Sequence, residues 1–224
     1  MPVVEPGSAG AGRAPSVQRP AILVGVVLAA AGLAAAAGCS PGTKPQVPYA
    51  ERIAAQRATK DQFFVASAES PIPADRRQEF LPLSYFPIDE SYVAAAMLTA
   101  SERAPAMEMP TSTGQRRLMR RAGTLKFSLK NTPLELTAFV EAEAPNMNRL
   151  FVPFGDLTNG TETYAAGRYI DLDRSPSGLY EVDFNRAYHP YCFYNPTYDC
   201  PYPPAENRLA LPVRAGERAR KPAA

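Results

Sequence analysis

Residues 124–140, TLKFSLKNTPLELTAFV, decide the fold of this chain. Apolar residues alternate with polar ones in the first half, where Leu125 and Phe127 share one face, and the alternation resumes over residues 134–140. A period of two residues is that of a β-strand with one buried face. A short segment, residues 131–133, separates the two runs, so this stretch predicts an antiparallel β-hairpin.

The same strand-like pattern recurs on both sides of the hairpin. It begins near Ser91 and continues in four further runs, at residues 149–154, 163–172, 179–185 and 209–213. Turn-forming Gly, Pro, Asn and Asp residues lie between these runs, and no helical periodicity intervenes. Short strands joined by frequent turns are typical of all-β domains. The sequence therefore predicts a mainly β fold, an antiparallel meander that forms a partly closed barrel or sandwich.

One or two helices are predicted in front of the strands. Residues 49–67 contain neither proline nor glycine and are rich in Ala, Gln, Arg and Lys, which favour a helix. Pro71 and Pro73 follow this segment and end it. A second, short helix is predicted over residues 74–80, with Pro73 at its start.

The front of the chain resembles the leader of an exported bacterial lipoprotein. Two arginines precede an apolar run over residues 21–38, and the run ends in Ala36-Ala37-Gly38-Cys39, which is similar to a lipobox. Residues 1–38 are therefore predicted to be a lipoprotein signal peptide, with Cys39 as the lipidated N-terminus after cleavage. The alternative is an uncleaved membrane anchor, since the run is just long enough to span a bilayer. Both alternatives place the following domain outside the cytoplasm and anchor it to a membrane.

Behind this leader the chain is predicted to hold one domain. Residues 39–48 form a proline-rich tether, residues 49–217 a single mainly β domain, and residues 218–224 a disordered tail. Position 40 is Ser and not the Asp that commonly retains lipoproteins in the inner membrane, which predicts an outer-membrane address in a bacterium with two membranes. The expected location is the periplasm or the cell surface. The formal net charge of +2 gives no reason to expect a nucleic-acid partner.

Residues 183–209, DFNRAYHPYCFYNPTYDCPYPPAENRL, form the most unusual segment of the chain. Its prolines are incompatible with a central strand or an ordinary helix, and its many tyrosines are atypical of disorder. It is therefore predicted to be a rigid, irregular loop, and long ordered loops are often functional. Its rings and prolines either form a stacking platform for sugars or peptides, or pack together and stiffen the loop.

The same loop carries the signature DFN-x-AY-x-PYC-x-Y followed by CP-x-PP-x-EN-x-L. Four further motifs occur in order: R-x-x-K-D-x-x-F at residues 57–64, TSTG at 111–114, LFVPF at 150–154, and ETY with GRY at 162–169. Over residues 57–217 this set resembles a bacterial family, the domain-of-unknown-function family numbered 1684. That family has no established activity, so the resemblance implies none. It usually has asparagine at the position of His189, which implies that this position has no family-wide catalytic or metal-binding role.

A polar cluster is predicted where two strands approach this loop. Tyr164 and Arg168 share a face of one run, and Asp183 and Asn185 share a face of the next. If the two strands pair, Asp183 lies near Arg168. The pair then either belongs to a pocket for an anionic or carbonyl-bearing ligand or forms a structural ion pair that holds the loop. The full set of candidate ligand-binding residues is Glu162, Tyr164, Arg168, Asp183, Asn185, Tyr188, Glu206 and Asn207.

Glu206 and Asn207 have a second interpretation, in which they cap backbone groups of the loop instead of facing a cleft. The basic residues Arg116, Arg117, Arg120 and Arg121 likewise have two: a site for phosphate or anionic lipid headgroups, or a solvated strand face.

Cys192 and Cys200 lie close together within the loop. In an oxidising compartment the first expectation is a disulfide between them, which in the chain-entropy view contributes about 2–3 kcal/mol. A zinc site that adds His189 and Asp199 is the alternative, but its spacing matches no common zinc motif. The chain also lacks the G-x-S-x-G elbow of a hydrolase that uses its single histidine. No metal and no cofactor is therefore predicted.

Three functions are compatible with this pattern. The first is a non-catalytic binding module for a small molecule, a glycan or a partner in the cell envelope. The second is an extracytoplasmic enzyme, such as a hydrolase, that uses Glu162, Arg168 and Asp183. The third is a structural component of the envelope. A cavity lined by these three residues and Tyr164 favours binding or catalysis, whereas their pairing in a filled sheet favours the structural role.

Overall fold

The computed structural model describes residues 47–103 and 106–220. They belong to one compact unit. The predicted signal peptide, the lipidation site Cys39 and residues 40–46 of the tether lie outside the described residues. Among residues 47–103 and 106–220, no helix combines the length and the apolar character needed to cross a bilayer.

An N-terminal helix precedes the strands, as the sequence predicts. Helix α1 spans Tyr49–Ala66 and buries Ile53 and Phe64. Pro48 stands just before it, where a missing backbone N–H removes no helical hydrogen bond. At the predicted second helix the chain forms a 3-10 turn, Ala74–Arg76, followed by the short helix α2, Arg77–Phe80.

In the described part of the chain, seven strands form one antiparallel sheet that curls into a nearly closed barrel. They are β1 (Val93–Ala100), β2 (Ala106–Pro110), β3 (Arg116–Leu129), β4 (Thr132–Glu141), β5 (Arg149–Phe154), β6 (Arg168–Asp173) and β7 (Tyr180–Asp183). Their order is β6-β5-β4-β3-β1-β7, and β2 pairs with the first part of β3. An isolated bridge between Arg174 and Tyr180 joins the two ends of this order. The mainly β, antiparallel prediction is confirmed.

The predicted hairpin is β3–β4, but its turn lies one residue earlier than expected. Lys130 and Asn131 occupy the turn with φ angles of 49° and 64°, the left-handed conformation that a two-residue hairpin turn requires. Pro133 therefore lies within β4, opposite Ser128. A proline is tolerated at that place because β4 meets its other neighbour, β5, only further along, at Phe139 opposite Phe151.

The core lies inside the barrel, on the face that the alternation predicts. Leu125, Phe127 and Leu129 of β3 are buried together with Leu136 and its inward neighbours of β4. A bulge interrupts β3 at Gly123, where a Cβ atom would lie 2.2 Å from the Thr99 carbonyl oxygen of β1. Only glycine allows the two strands to approach this closely.

Three predicted strands differ from the structure. The run predicted over residues 179–185 is a strand only over Tyr180–Asp183 and is followed by a 3-10 turn, Phe184–Arg186. Residues 156–167 fold into a series of turns, so the run predicted from residue 163 becomes a strand only at Arg168. Residues 209–213 form an irregular segment and not a strand. The preceding residue, Arg208, forms an isolated bridge with Gly155. The chain then stays attached to the domain to residue 220: the Arg218 backbone N–H donates to the Ser84 carbonyl at 2.9 Å. The tail was predicted to be disordered from residue 218, and residues 221–224 of it lie outside the described residues.

Candidate functional site

Arg168 is wholly buried, and its partner is Asp156. Its Nη2 donates to Asp156 Oδ2 at 2.9 Å and to the Val213 carbonyl at 2.7 Å, and its Nη1 donates to the carbonyls of Ala215 and Glu217. Burial lowers the pKa of Arg168, and the neighbouring carboxylate opposes this shift. The guanidinium therefore clamps the C-terminal segment onto the barrel and is closed to any ligand.

The predicted contact between Arg168 and Asp183 is wrong. Strand β6, which carries Arg168, pairs with β5, whereas β7, which carries Asp183, pairs with β1. Asp183 Oδ1 instead accepts from the Tyr49 hydroxyl at 2.8 Å and from the Asn185 backbone N–H at 2.9 Å. Asn185 in turn exchanges hydrogen bonds with the backbone of Asp89. These two buried residues attach the start of α1 to the barrel.

Three other candidates also have structural partners. Glu162 forms an exposed ion pair with Arg214 at 2.8 Å. Glu206 is exposed, 3.9 Å from a guanidinium nitrogen of Arg121. Asn207 is fully buried: its Oδ1 accepts from the Thr137 backbone N–H at 2.7 Å, and its Nδ2 donates to the carbonyls of Thr137 and Pro153. Asn207 thus caps backbone groups, as its second interpretation expects, but these groups belong to β4 and β5 and not to the loop.

His189 and Glu217 form a buried polar pair. The His189 backbone N–H donates to Glu217 Oε2 at 2.7 Å, and His189 Nε2 accepts from the Tyr164 backbone N–H at 3.3 Å. Burial lowers the pKa of His189 to about 3, although the nearby carboxylate of Glu217 raises it in part. The imidazole is therefore neutral. Burial opposes ionisation of Glu217, yet the neighbouring Lys60 and His189 lower its pKa overall. The His189 side chain bonds the backbone at Tyr164, and the Glu217 side chain joins the His189 backbone to Lys60 of α1, so both have structural roles.

Lys60 is one of several α1 side chains that attach the helix to the rest of the domain. These side chains belong to the R-x-x-K-D-x-x-F motif of the sequence. Lys60 pairs with Glu217, and Arg57 Nη1 donates to the Phe86 carbonyl at 2.9 Å. Phe64 packs edge-on against Tyr194, with ring centroids 5.5 Å apart. The docking places the exposed end of α1 beside the 183–209 loop.

A groove of about 770 Å³ lies between this end of α1, the outer face of β4, β5 and β6, and the loop. Seven of its nineteen lining residues are aromatic. The rings are Phe63, Phe64, Phe151, Tyr169, Tyr188, Tyr191 and Tyr198. The charged residues are Lys60, Arg117, Glu141, Arg149, Asp171 and Asp199.

The rings of the groove hold one another edge-on. Tyr191 and Tyr198 have centroids 5.3 Å apart at 78°, and Phe151 and Tyr169 have centroids 4.7 Å apart at 75°. Such T-shaped contacts are a favoured aromatic geometry and fix the orientation of each ring. Two rings stay open to solvent, Phe63 with 41% and Tyr191 with 38% of their surface exposed. The groove is therefore a preformed aromatic surface.

Several polar groups of the groove are also paired. Asp171 Oδ2 accepts from the Tyr188 hydroxyl and from Arg149 Nη2, each at 3.1 Å. Arg117 Nη2 donates to the Asp199 carbonyl at 2.9 Å. Burial raises the pKa of Tyr188, which therefore stays a neutral donor. The arrangement offers hydrogen-bonding groups in fixed positions beside the rings.

Cys192 and Cys200 are neighbours at the base of the loop, and both are free thiols. The Cys192 backbone N–H lies 3.2 Å from Cys200 Sγ, and Cys200 reaches the groove. The contact with the Cys200 side chain lowers the pKa of Cys192 to about 6, and the same contact together with burial raises the pKa of Cys200. The expected disulfide is thus not formed in this structure, although the two residues are brought together.

The zinc alternative finds no support in the side-chain positions. His189 contacts Tyr164 and Glu217, and the Asp199 carboxylate accepts from Thr113. Across residues 47–103 and 106–220, no three His, Cys, Asp or Glu side chains are grouped so that they could hold a metal ion.

Of the eight predicted ligand-binding residues, only Tyr188 lines the groove. Tyr188 and Asn185 also line a second cavity of about 370 Å³ beside α1. Neither cavity is lined by Glu162, Tyr164, Arg168 or Asp183. The rings of the loop were visible in the sequence. Their neighbours Phe63 and Phe151 lie on a helix and a strand far away along the chain, and no pattern in the sequence predicts that they meet the loop.

The comparisons with known proteins agree with this fold. The solution NMR structure of an uncharacterised protein of Haloarcula marismortui is similar, with 39% sequence identity and a TM-score of 0.61; the match covers 75% of this chain and 93% of that one. The search of curated proteins gives no significant match. The sequence model described as "Protein of unknown function (DUF1684)" matches residues 78–218. The family resemblance is thus confirmed, and the chain belongs to the DUF1684 family.

Proposed function

We propose that this domain is a non-catalytic binding module and that its ligand occupies the aromatic groove. The groove itself carries the proposal. Its volume of about 770 Å³ lies within the range of small-molecule sites, roughly 300–1,000 Å³, and its rings surround a few fixed polar groups. The rings are held by each other and by the barrel, so a ligand meets a preformed surface.

Binding is favoured over catalysis because the buried titratable groups serve the fold. The enzyme hypothesis needs Glu162, Arg168 and Asp183 to act together. They have three different partners, namely Arg214, Asp156 and Tyr49. His189 is neutral and buried, and its hydrogen-bond partners are the Tyr164 backbone N–H and the Glu217 carboxylate. Such pairing is that of a structural network, and none of these four residues lines the groove.

Native mass spectrometry and thermal unfolding test the proposal. The full chain, purified from its own organism or incubated with its envelope extract, is expected to carry a bound compound and to unfold at a higher temperature with it. Tyr191→Ala should lose both effects. Tyr202→Ala is the matched control, because Tyr202 has the same 38% exposure but does not line the groove. Equal retention by both variants would refute the groove as the site.

We also propose that the protein is an exported lipoprotein anchored through Cys39. The apolar run that ends in Ala36-Ala37-Gly38-Cys39 supports this, with the uncleaved anchor as the alternative. Intact-mass analysis of membrane-extracted protein should show residues 1–38 absent and acyl mass on Cys39. An unmodified Cys39 in mature protein contradicts lipidation, and a retained leader favours the anchor.

In the exported protein, we propose that Cys192 and Cys200 become a disulfide. Their adjacency supports it, as does the lowered pKa of Cys192. Thiol–disulfide exchange with an oxidised protein dithiol forms the new S–S bond, and the partner's disulfide takes up the two electrons and two protons. Non-reducing peptide mapping of exported protein should recover one linked fragment. Two free thiols in that material would contradict the proposal.

A further inference from the structure

We infer that the ligand of the groove is a neutral saccharide. The inference rests on the proposed function, because it names the class of compound that the same groove takes. Three properties of the groove carry it: balanced charge, exposed rings, and polar groups that are already ordered.

The charge of the groove is balanced. Three basic and three acidic side chains line it. Each basic side chain already has a carboxylate partner: Lys60 pairs with Glu217, Arg149 lies 3.1 Å from Asp171, and Arg117 lies 4.0 Å from Asp199. An anionic ligand would have to compete with these carboxylates for the same cations, and a cationic ligand would have to compete with Arg149 for Asp171 and with Arg117 for Asp199. An uncharged ligand meets neither cost.

The exposed rings suit a molecule with an apolar face. The C–H groups on one side of a sugar ring form such a face, and it packs flat on an aromatic ring. Phe63 and Tyr191 line the groove and keep part of their surface exposed, and Tyr198 holds Tyr191 edge-on. The burial of these C–H groups against the rings provides the hydrophobic part of the binding free energy.

The polar groups suit a molecule with many hydroxyls. Asp171 is held through Oδ2 by Tyr188 and Arg149, so the direction of its carboxylate is fixed. Such a carboxylate accepts from sugar hydroxyls, and the guanidinium beside it donates to them. An acyl chain would cover these groups without replacing the hydrogen bonds that they make to water. The mixture of rings and ordered polar groups therefore favours a saccharide over a lipid chain.

Isothermal titration of the full chain with three kinds of probe tests the inference. The probes are neutral oligosaccharides of hexoses and N-acetylhexosamines, oligosaccharides of the same length that contain uronic acids, and a long-chain fatty acid. A neutral oligosaccharide should bind most tightly, with an affinity that changes less than about twofold between low and high salt. Tyr191→Ala and Asp171→Asn should each weaken it at least about tenfold. The controls Tyr202→Ala and Asp173→Asn, the latter an exposed residue of the same strand, should bind as the wild type does.

Each other outcome overturns the inference in a recognisable way. Tighter binding of the uronic-acid oligosaccharide or the fatty acid, lost in Tyr191→Ala, leaves the groove as the site but rejects a neutral saccharide. Neutral saccharide binding that the site variants do not weaken rejects this groove. If no probe binds while an extract compound binds in a Tyr191-dependent way, the saccharide is rejected and the proposed function stands. If nothing binds, both fail.

Discussion

Arg168 Nη2 and Asp156 Oδ2 lie 2.9 Å apart, and both side chains are fully shielded from solvent. We predict that Arg168→Ala lowers the free energy of unfolding by about 3–5 kcal/mol, because it leaves a buried carboxylate without its counter-charge. The exposed pair Arg214–Glu162 is the control, and Arg214→Ala should cost no more than about 1 kcal/mol. Urea unfolding measures both changes.

A double-mutant cycle identifies the partner of Arg168. Arg168→Ala and Asp156→Ala should be strongly coupled, while Arg168→Ala and Asp183→Ala should be nearly additive, since the two residues share no hydrogen bond. Coupling with Asp183 and additivity with Asp156 would contradict the structure.

The buried imidazole predicts a pH dependence of stability. The pKa of His189 is about 3 in the folded protein against an ordinary value of 6.5, so the unfolded chain binds a proton that the folded chain does not. The stability that neutral His189 contributes is complete above pH 6.5 and is lost as the pH falls towards 3. From pH 7.5 to pH 5 the loss should be about 2 kcal/mol.

His189→Asn isolates this effect. Asparagine does not titrate, so the variant should lack that part of the pH dependence, while the carboxylates other than Glu217 contribute equally to both proteins. Urea unfolding of the wild type and the variant at the two pH values gives the difference. Parallel curves would show that His189 is not held neutral by burial.

Lys60 ties helix α1 to the barrel through Glu217. Lys60→Met keeps the aliphatic stem beside Phe64 and Tyr188 but removes the charge, and we predict a loss of about 3–5 kcal/mol because Glu217 is buried. Without Lys60 the pKa of Glu217 rises, so the variant protonates Glu217 at a higher pH than the wild type does, and the loss should be smaller at pH 4 than at pH 7.5. Unfolding in urea at pH 7.5 and pH 4 checks both parts.

The control for Lys60 is Lys126→Met, which removes an exposed pair with Glu135 at 3.3 Å and should cost no more than about 1 kcal/mol. Equal losses in the two variants would show that the burial of Glu217 does not matter.

Asn207 is predicted to matter through its backbone hydrogen bonds. Asn207→Ala leaves the Thr137 N–H and two buried carbonyls without their partner, which should cost at least about 2 kcal/mol. Its exposed neighbour provides the comparison, and Glu206→Ala should change stability by no more than about 0.5 kcal/mol. Chemical denaturation of the two variants measures the contrast, and similar values would reject the capping role.

The alternation of Leu125 and Phe127 was sufficient to predict strand, face and hairpin, because the period of a β-strand is a local property. It was not sufficient to predict the partner of Arg168. Parity gives the face of a residue but not the strand along which it pairs, and here β6 pairs along β5 and β7 along β1, while β6 and β7 meet at the Arg174–Tyr180 bridge. The groove was beyond the sequence for a similar reason. Phe63, Phe151 and Tyr191 come from a helix, a strand and a loop, and only the packed fold brings them together.

The most direct test of the account is the NMR response of the tyrosine rings. The full chain is labelled in its tyrosine rings and titrated with fractions of its own organism's envelope extract. We predict that one fraction shifts the signals of Tyr188, Tyr191 and Tyr198 together and to saturation, while those of Tyr92 and Tyr202, which do not line the groove, stay in place. Shifts confined to Tyr92 or Tyr202, or no saturable shift with any fraction, would contradict a binding role for the groove.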